Sequence, residues 1–339
     1  MSKIIVTGGA GYIGSHTIVD LIEHGYDVVS VDNFSRSGEA VFEGIKAITG
    51  RNVKNYKANL CEEGEVRKIF DKEIDVAGVI HFAAFKSVSE SVEFPMKYYE
   101  NNLYSLINVL KCMKDYSIQN LVFSSSCSVY GNINSLPVTE STPLAKPECP
   151  YAATKQMGEQ MIMDFSKMSE SNSILLRYFN PVGAHPSAVI GETPYDKPNN
   201  LVPVITQTAI GLQKKMYVWG GDYETRDGSC VRDYIHVMDI AAAHTLALDY
   251  LISHKNESRC EIFNVGSGNG VSVFEAIASF EKVSGFKLNY EKGPRRPGDV
   301  VAIYANNQLI SERLGWIPRF TLDDMMESAW AWEKKMAGK

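Results

Sequence analysis

Apolar positions along the chain change their spacing in an orderly way. Lys3 to Val6 is a short β-branched run, as in a strand buried on both faces of a parallel sheet. From Ile13 to His24 the apolar residues recur at helical spacing, and Gly25 stops the helix. "YDVVSVD" reads as a second strand ending at Asp32. Residues 52–59, 76–84, 120–126 and 173–179 also have strand character, with helical patterns between them such as Glu62 to Phe70 and Met96 to Tyr116. Strands alternating with helices predict an α/β fold built on a doubly wound parallel sheet.

After Phe179 the alternation breaks down. "NPVGAHPSAVIGETPYDKPNNLVP" is rich in Pro, Gly and Asn and opens a loop-rich region. The expected division is a first domain over 1–180 and a smaller mixed α/β domain over 181–339, some segments of which return to the first. The smaller domain is expected to close over the carboxyl ends of the strands, where open α/β sheets bind their ligands.

Composition narrows the function classes. The length of 339 residues suits about two domains. A net charge of −6 without long runs of one sign argues against a nucleic-acid or anionic-membrane surface, yet leaves room for a small anionic ligand held by one or two arginines. The six cysteines form no CxxC pair and the seven histidines no HExxH, so no metal is expected. No apolar stretch approaches the roughly 20 residues that span a bilayer. "MSKIIVTGG" runs directly into a strand, without signal-peptide character. A cytoplasmic, reduced protein is expected.

The chemistry begins between the first two strands. Gly8, Gly9, Gly11 and Gly14 fit G-x-G-x-x-G from Gly9 and G-x-x-G-x-x-G from Gly8. A strand, a glycine turn, a helix, a second strand and then an acid is the Rossmann order for a dinucleotide. The turn admits the pyrophosphate, the helix N-terminus stabilises its charge, and the acid takes the ribose hydroxyls. Asp32 favours NAD over NADP, because its charge repels a 2′-phosphate. Arg36 reads as a solvated loop residue.

A second candidate lies in "PYAATKQM". Tyr151 and Lys155 are one helical turn apart, and a nearby ammonium lowers a phenol's pKa. Such a tyrosine can serve as general base and acid. With 17 tyrosines, about one Tyr-xxx-Lys arises by chance. Position therefore carries the argument: the pair follows "LVFSSS", a strand ending in three serines.

The glycine turn, Asp32, "FSSSCSVYG" and "YAATK" together resemble the extended short-chain dehydrogenase/reductase family. "HFAAFKSV", "LLRYFNPVGAHPS", "PNNLVP", "VRDYIHVMDIA", "FNVGSGNGVSV" and "RRPGDV" are similar to its UDP-galactose 4-epimerase group, over nearly the whole chain. This resemblance implies an NAD-dependent isomerase that interconverts UDP-glucose and UDP-galactose through a transient 4-keto sugar. It implies Tyr151 as the base, Lys155 as its modulator and Ser126 as the group bonding the reacting oxygen. Gly8, Gly11, Tyr12, Ile13, Gly14, Asp32, Asn33, Asn59, Leu60, Phe82, Ala83, Lys86, Asn101, Tyr151, Lys155 and Tyr178 fall on cofactor positions. Ser126, Tyr151, Asn180, Asn200, Leu201, Tyr217, Trp219, Arg232, Arg296, Asp299 and Ile303 fall on UDP-sugar positions. Without the resemblance, Trp219 reads as core and Arg295–Arg296 as a solvated loop.

Two positions depart from the family pattern. Asn59 stands where an acid often bonds the adenine amine, and its amide oxygen can still accept that bond. By the resemblance, Ile303 occupies the position that lines the sugar's 2-substituent and is smaller than the tyrosine that excludes an N-acetyl group in family members, so UDP-N-acetylglucosamine and UDP-N-acetylgalactosamine are expected as further substrates. The resemblance also implies a homodimer pairing helices near 96–116 and 151–168. Rival readings are a nucleotide-sugar 4,6-dehydratase, a dehydrogenase that releases its cofactor, and a non-catalytic NAD-binding sensor. Cys127 and Ser128 occupy the positions where a dehydratase carries its acid and base.

Overall fold

A computed structural model describes residues 2–133, 135–195, 198–296 and 300–338. The first half alternates as the apolar spacing predicts: β1 (Lys3–Thr7), α1 (Tyr12–Glu23), β2 (Asp27–Val31), α2 (Ala40–Thr49), β3 (Lys54–Tyr56), α3 (Glu63–Lys72), β4 (Val76–His81), α4 (Val88–Glu93), α5 (Pro95–Asp115), β5 (Asn120–Ser126), α6 (Pro150–Met168) and β6 (Asn172–Tyr178). The second half contributes β7 (Asn180–Val182), α7 (Leu201–Ile210), β8 (Met216–Trp219), β9 (Val231–His236), α8 (Val237–Ile252), β10 (Cys260–Val265), β11 (Gly270–Ser272), α9 (Val273–Ser284), β12 (Tyr290–Gly293), β13 (Ala302–Ile303), α10 (Gln308–Leu314) and α11 (Leu322–Met336).

Seven parallel strands form one sheet in the order β10-β6-β5-β4-β1-β2-β3. The chain winds outward from β1 to β3, then crosses back to β4 and proceeds the other way. That reversal opens a crevice at the carboxyl ends of β1 and β4, the usual ligand position in such sheets. Both faces are covered, which is why the strands are continuous apolar runs. On one face Ile18, Leu21 and Ile22 of α1 meet Leu248 and Leu251 of α8. On the other, Val66 and Phe70 of α3 pack with Leu106, Val109 and Met113 of α5 and Ile162 of α6.

A smaller assembly follows Tyr178. Strands β7, β9, β11 and β13 make a mixed sheet, and β8 pairs with β12. Val202, Ile205, Ile277, Phe280, Met326 and Trp330 bury the inner faces of α7, α9 and α11. Capping boxes start two of these helices, Ser272 with Glu275 and Thr321 with Asp324. Two segments return to the large sheet: α8 packs along α1, and β10 forms an edge strand beside β6. Among the described residues, no helix is long and apolar enough to cross a membrane.

Candidate active site

The turn after β1 is held too tightly for any side chain. Gly8 has φ +71°, donates to Val31 O at 2.8 Å and accepts from Gly11 N at 3.0 Å. A Cβ on Gly8 would stand 2.8 Å from Ala83 N, and one on Gly14 would stand 2.3 Å from Gly8 O. Gly11 is the N-cap of α1 and offers no side-chain cap, so the first N–H groups of the helix are left for an anion. These features fit a dinucleotide's pyrophosphate. Tyr12 and Ile13 open the helix, and the Tyr12 hydroxyl donates to Gly183 O at 2.6 Å.

Of the other cofactor candidates, Asp32 and Ala83 meet this turn directly. Asp32, just past β2, accepts from Ala10 N, Phe34 N and the Ser37 hydroxyl. Burial pushes its carboxyl upward while those three donors pull it down. Arg36 is not a solvated loop residue: it pairs with Glu90 and its guanidinium stands 5.1 Å from the Phe85 ring and 4.9 Å from the Tyr195 ring. Asn33 closes a local turn by accepting from Ser35 N. Phe82 and Ala83 follow β4, with Phe82 N donating to Thr7 O. Lys86 pairs with Glu192 at 3.0 Å. Asn59 accepts from Cys61 N, Leu60 O accepts from Asn108, and Asn101 donates to Asn102.

The three serines of β5 point to three different partners. Ser124 O accepts from Lys155 Nζ at 2.6 Å, and its hydroxyl bonds the Tyr178 hydroxyl. Ser125 donates to Glu159. Ser126 caps the short turn Cys127–Tyr130, and its side chain also bears on the Tyr151 phenol. Pro150 sets Tyr151 in the first turn of α6. Burial pushes the Tyr151 phenol well above its ordinary range, Tyr178 adds to that, and the Ser126 side chain opposes it. Lys155 stands one turn along the same helix, as the spacing predicts. Its ammonium is turned to the Ser124 carbonyl, 6.0 Å from the Tyr151 ring, and burial brings it down to about 8.

The predicted UDP-sugar residues lie on the smaller assembly. Asn180 is on β7, and Asn200 and Leu201 begin α7. Tyr217 and Trp219 stack on β8 with ring centroids 5.4 Å apart. Both rings are exposed, so Trp219 is not a core residue. Arg232 on β9 is in register with Ile303 on β13 and bears electrostatically on Cys127, just beyond Ser126. Arg296 is exposed beyond β12, and its neighbour Arg295 bonds Asp222. Asp299 lies outside the described residues. Ile303 is buried among Val129, Tyr130, Val138 and Phe179. Cys127 and Ser128 supply no acid–base pair: burial pushes the Cys127 thiol up to about 12.

Sequence reasoning missed Glu159 and Arg177, which meet in a buried ion pair at 2.6 Å behind the serine run. An arginine inside the apolar strand "SILLRYF" was the available signal, because a buried charge demands a partner.

Residues 5–329 match the family described as GDP-mannose 4,6 dehydratase. The chain is 45% identical over 340 residues to the UDP-glucose 4-epimerase of Homo sapiens, covering 98% of this chain and 97% of that one. It is 44% identical to the Bacillus subtilis UDP-glucose 4-epimerase, covering 97% and 96%. The crystal structure of the Stenotrophomonas maltophila UDP-glucose-4-epimerase, with bound NAD and formylated UDP-arabinopyranose, superimposes with a TM-score of 0.96 at 41% identity and covers 100% of this chain and 99% of that one. The Bifidobacterium longum UDP-glucose 4-epimerase, in complex with NAD+ and UDP, gives 0.94 at 42% identity, covering 98% of each. With this likeness running from the glycine turn through the Tyr151 helix to α11, the chain belongs to the UDP-glucose 4-epimerase family.

Proposed function

We propose that the protein is an NAD-dependent isomerase that interconverts UDP-glucose and UDP-galactose. The observation carrying this reading is the meeting of Tyr151, Lys155 and Ser126 at the carboxyl end of β5, on a sheet whose first turn fits a dinucleotide. When bound, NAD supplies the hydride acceptor and donor for carbon 4 of the sugar. The glycine turn and α1 hold its pyrophosphate, and Asp32 holds its adenosine ribose. Tyr151 takes the proton of the 4-hydroxyl, then returns it after the 4-keto sugar has presented its other face. Ser126 donates to the reacting oxygen. Lys155 keeps a positive charge beside the phenol and so favours its deprotonated form, against the burial that raises it. Arg232 and Arg296 meet the diphosphate, and the exposed Tyr217–Trp219 pair meets the uracil. The absence of a carboxylate at 127 and 128 favours epimerisation over 4,6-dehydration.

The test is a coupled assay on purified protein with UDP-galactose and no added NAD. Turnover is expected, and denaturation should release about one NAD per chain. Tyr151→Phe should lose at least about 100-fold in kcat and retain its NAD. Near-normal rates in that variant would remove Tyr151 from the mechanism.

Ile303 extends the reading to N-acetylated sugars. UDP-N-acetylgalactosamine is expected to turn over at enzyme levels that convert UDP-galactose, and complete inactivity on it would be the contrary result. We further place the domain boundary near residue 180 and read the protein as a cytoplasmic homodimer.

A further inference from the structure

Behind the serine run lies a charged network none of whose members is assigned to a ligand above. Arg177 on β6 is the register partner of Ser125 on β5, and Glu159 stands on α6 one turn beyond Lys155. Both are buried. The guanidinium forks onto the carboxylate, Nε to Oε1 at 2.8 Å and Nη2 to Oε2 at 2.6 Å. Its Nη1 donates to the Tyr130 hydroxyl at 3.1 Å, and that hydroxyl donates to Asn264 on β10 at 2.6 Å. Ser125 donates to the same Oε1 of that carboxylate. One carboxylate therefore joins α6 to β5 and β6 directly, and to β10 through Arg177 and Tyr130.

Stability alone is a poor account of such a pair. Desolvating two charges costs about what their attraction returns, and apolar replacements of similar volume are often neutral or stabilising. Direction is what apolar residues lack. A guanidinium–carboxylate fork fixes both distance and angle, and here it does so beside the two residues assigned to proton transfer. It also places an anion near Lys155. Arg177 carries the compensating positive charge of the fork, and the other titratable groups around the ammonium are neutral. Burial holds His81 on β4 down to about 3, and it raises the phenols of Tyr151 and of Tyr178 on β6. Burial lowers Lys155 to about 8, and Glu159 acts against that fall.

We propose that Glu159 and Arg177 are positioning residues of the epimerase site: their fork locks α6 in register with the serine end of β5, so that Tyr151 and Lys155 keep their working places and Lys155 its charge. The inference rests on the function proposed above.

Glu159→Gln strands a buried guanidinium and is expected to weaken the fold. The deciding variant is therefore the double change Glu159→Met with Arg177→Met, which orphans no charge. Circular dichroism and NAD content report the fold of the purified holoprotein. UDP-galactose turnover across neutral and alkaline pH reports the site. The expected result is a folded, NAD-bearing variant whose kcat falls about 10- to 100-fold with KM within roughly threefold. Its alkaline limb should lie lower, because Glu159, one turn along the same helix, is the charge that bears on Lys155 and holds its proton. A folded double variant with parental kcat and an unmoved limb overturns the proposal. So does a double variant that cannot fold, since the pair would then be a requirement of the fold itself. If the unaltered protein shows no epimerisation, it is the parent reading that falls.

Discussion

At Gly14 a single hydrogen atom stands where any other residue would press a carbon against the Gly8 carbonyl, 2.3 Å away and on the backbone. The neighbour cannot rotate aside, so the turn itself must open. Gly14→Ala is expected to cost about 1–3 kcal/mol of stability and to leave the purified protein with much less than one NAD per chain. Thermal melting and NAD content measure the two effects, and full NAD in a destabilised variant would separate the turn from cofactor retention. Such residues were legible in the sequence because their constraint is local: a tight turn demands glycine wherever it occurs. Asp32 was legible for the same reason, as an acid at a fixed distance from that turn. The charge states of Tyr151 and Lys155 were not. Spacing placed them on one helix face, but burial decides their proton affinities, opposed by Ser126 at the phenol and by Glu159 at the ammonium, and these are properties of the folded chain. Arg177 shows the same limit, since its strand announced a buried charge but gave no means of choosing Glu159 among 40 acidic residues.

Secondary elements were read well where they are long or buried on both faces. The third strand is shorter than its pattern, Lys54–Tyr56 against 52–59, because it is an edge strand with one partner. The strands after Tyr178 are mostly too short to show a period, as β7, β11 and β13 illustrate with two or three residues each. What ties the edge of the large sheet is an element-scale feature that no pattern announces. Glu73 ends α3 and receives Lys3 of β1 at 2.9 Å and both Lys54 and Tyr56 of β3 at 2.7 Å. Burial would raise its carboxyl, but these donors outweigh that and hold it down to about 2. A carboxyl depressed in the folded state stabilises fully above its unfolded pKa, near 4.3, and loses that contribution as pH falls toward 2. Glu73→Gln is therefore expected to be about 2 kcal/mol less stable than the parent at neutral pH. Denaturant melts at stepwise lower pH should bring the two proteins together, and a gap that persists unchanged to pH near 2 would show that the carboxylate's charge is not its source.

Over the whole molecule, the parallel doubly wound sheet was legible because each strand–helix–strand unit closes over a short stretch of chain. That some later segments return was expected, but not that they are α8 and β10, because β10 is separated from its partner β6 by β7, α7, β8, β9 and α8. A comparable long-range feature is a run of exposed apolar side chains on the outer helices. Val88 and Val92 of α4, Met96 and Tyr104 of α5, and Met157 and Met168 of α6 are all exposed, while α5 and α6 lie side by side. Water contacts these groups only at a cost that an exposed patch of this kind ordinarily avoids by association. A twofold axis would set α5 and α6 against the same helices of a second copy, one self-complementary surface. Light scattering on the purified protein is expected to give twice its own 37.7 kDa. Tyr104→Glu together with Met157→Glu would put four carboxylates into that interface and should yield monomers that still hold NAD, because neither side chain belongs to the cofactor site. A parent protein of single-chain mass would refute the dimer. A dimer untouched by the two substitutions would move its interface to another face.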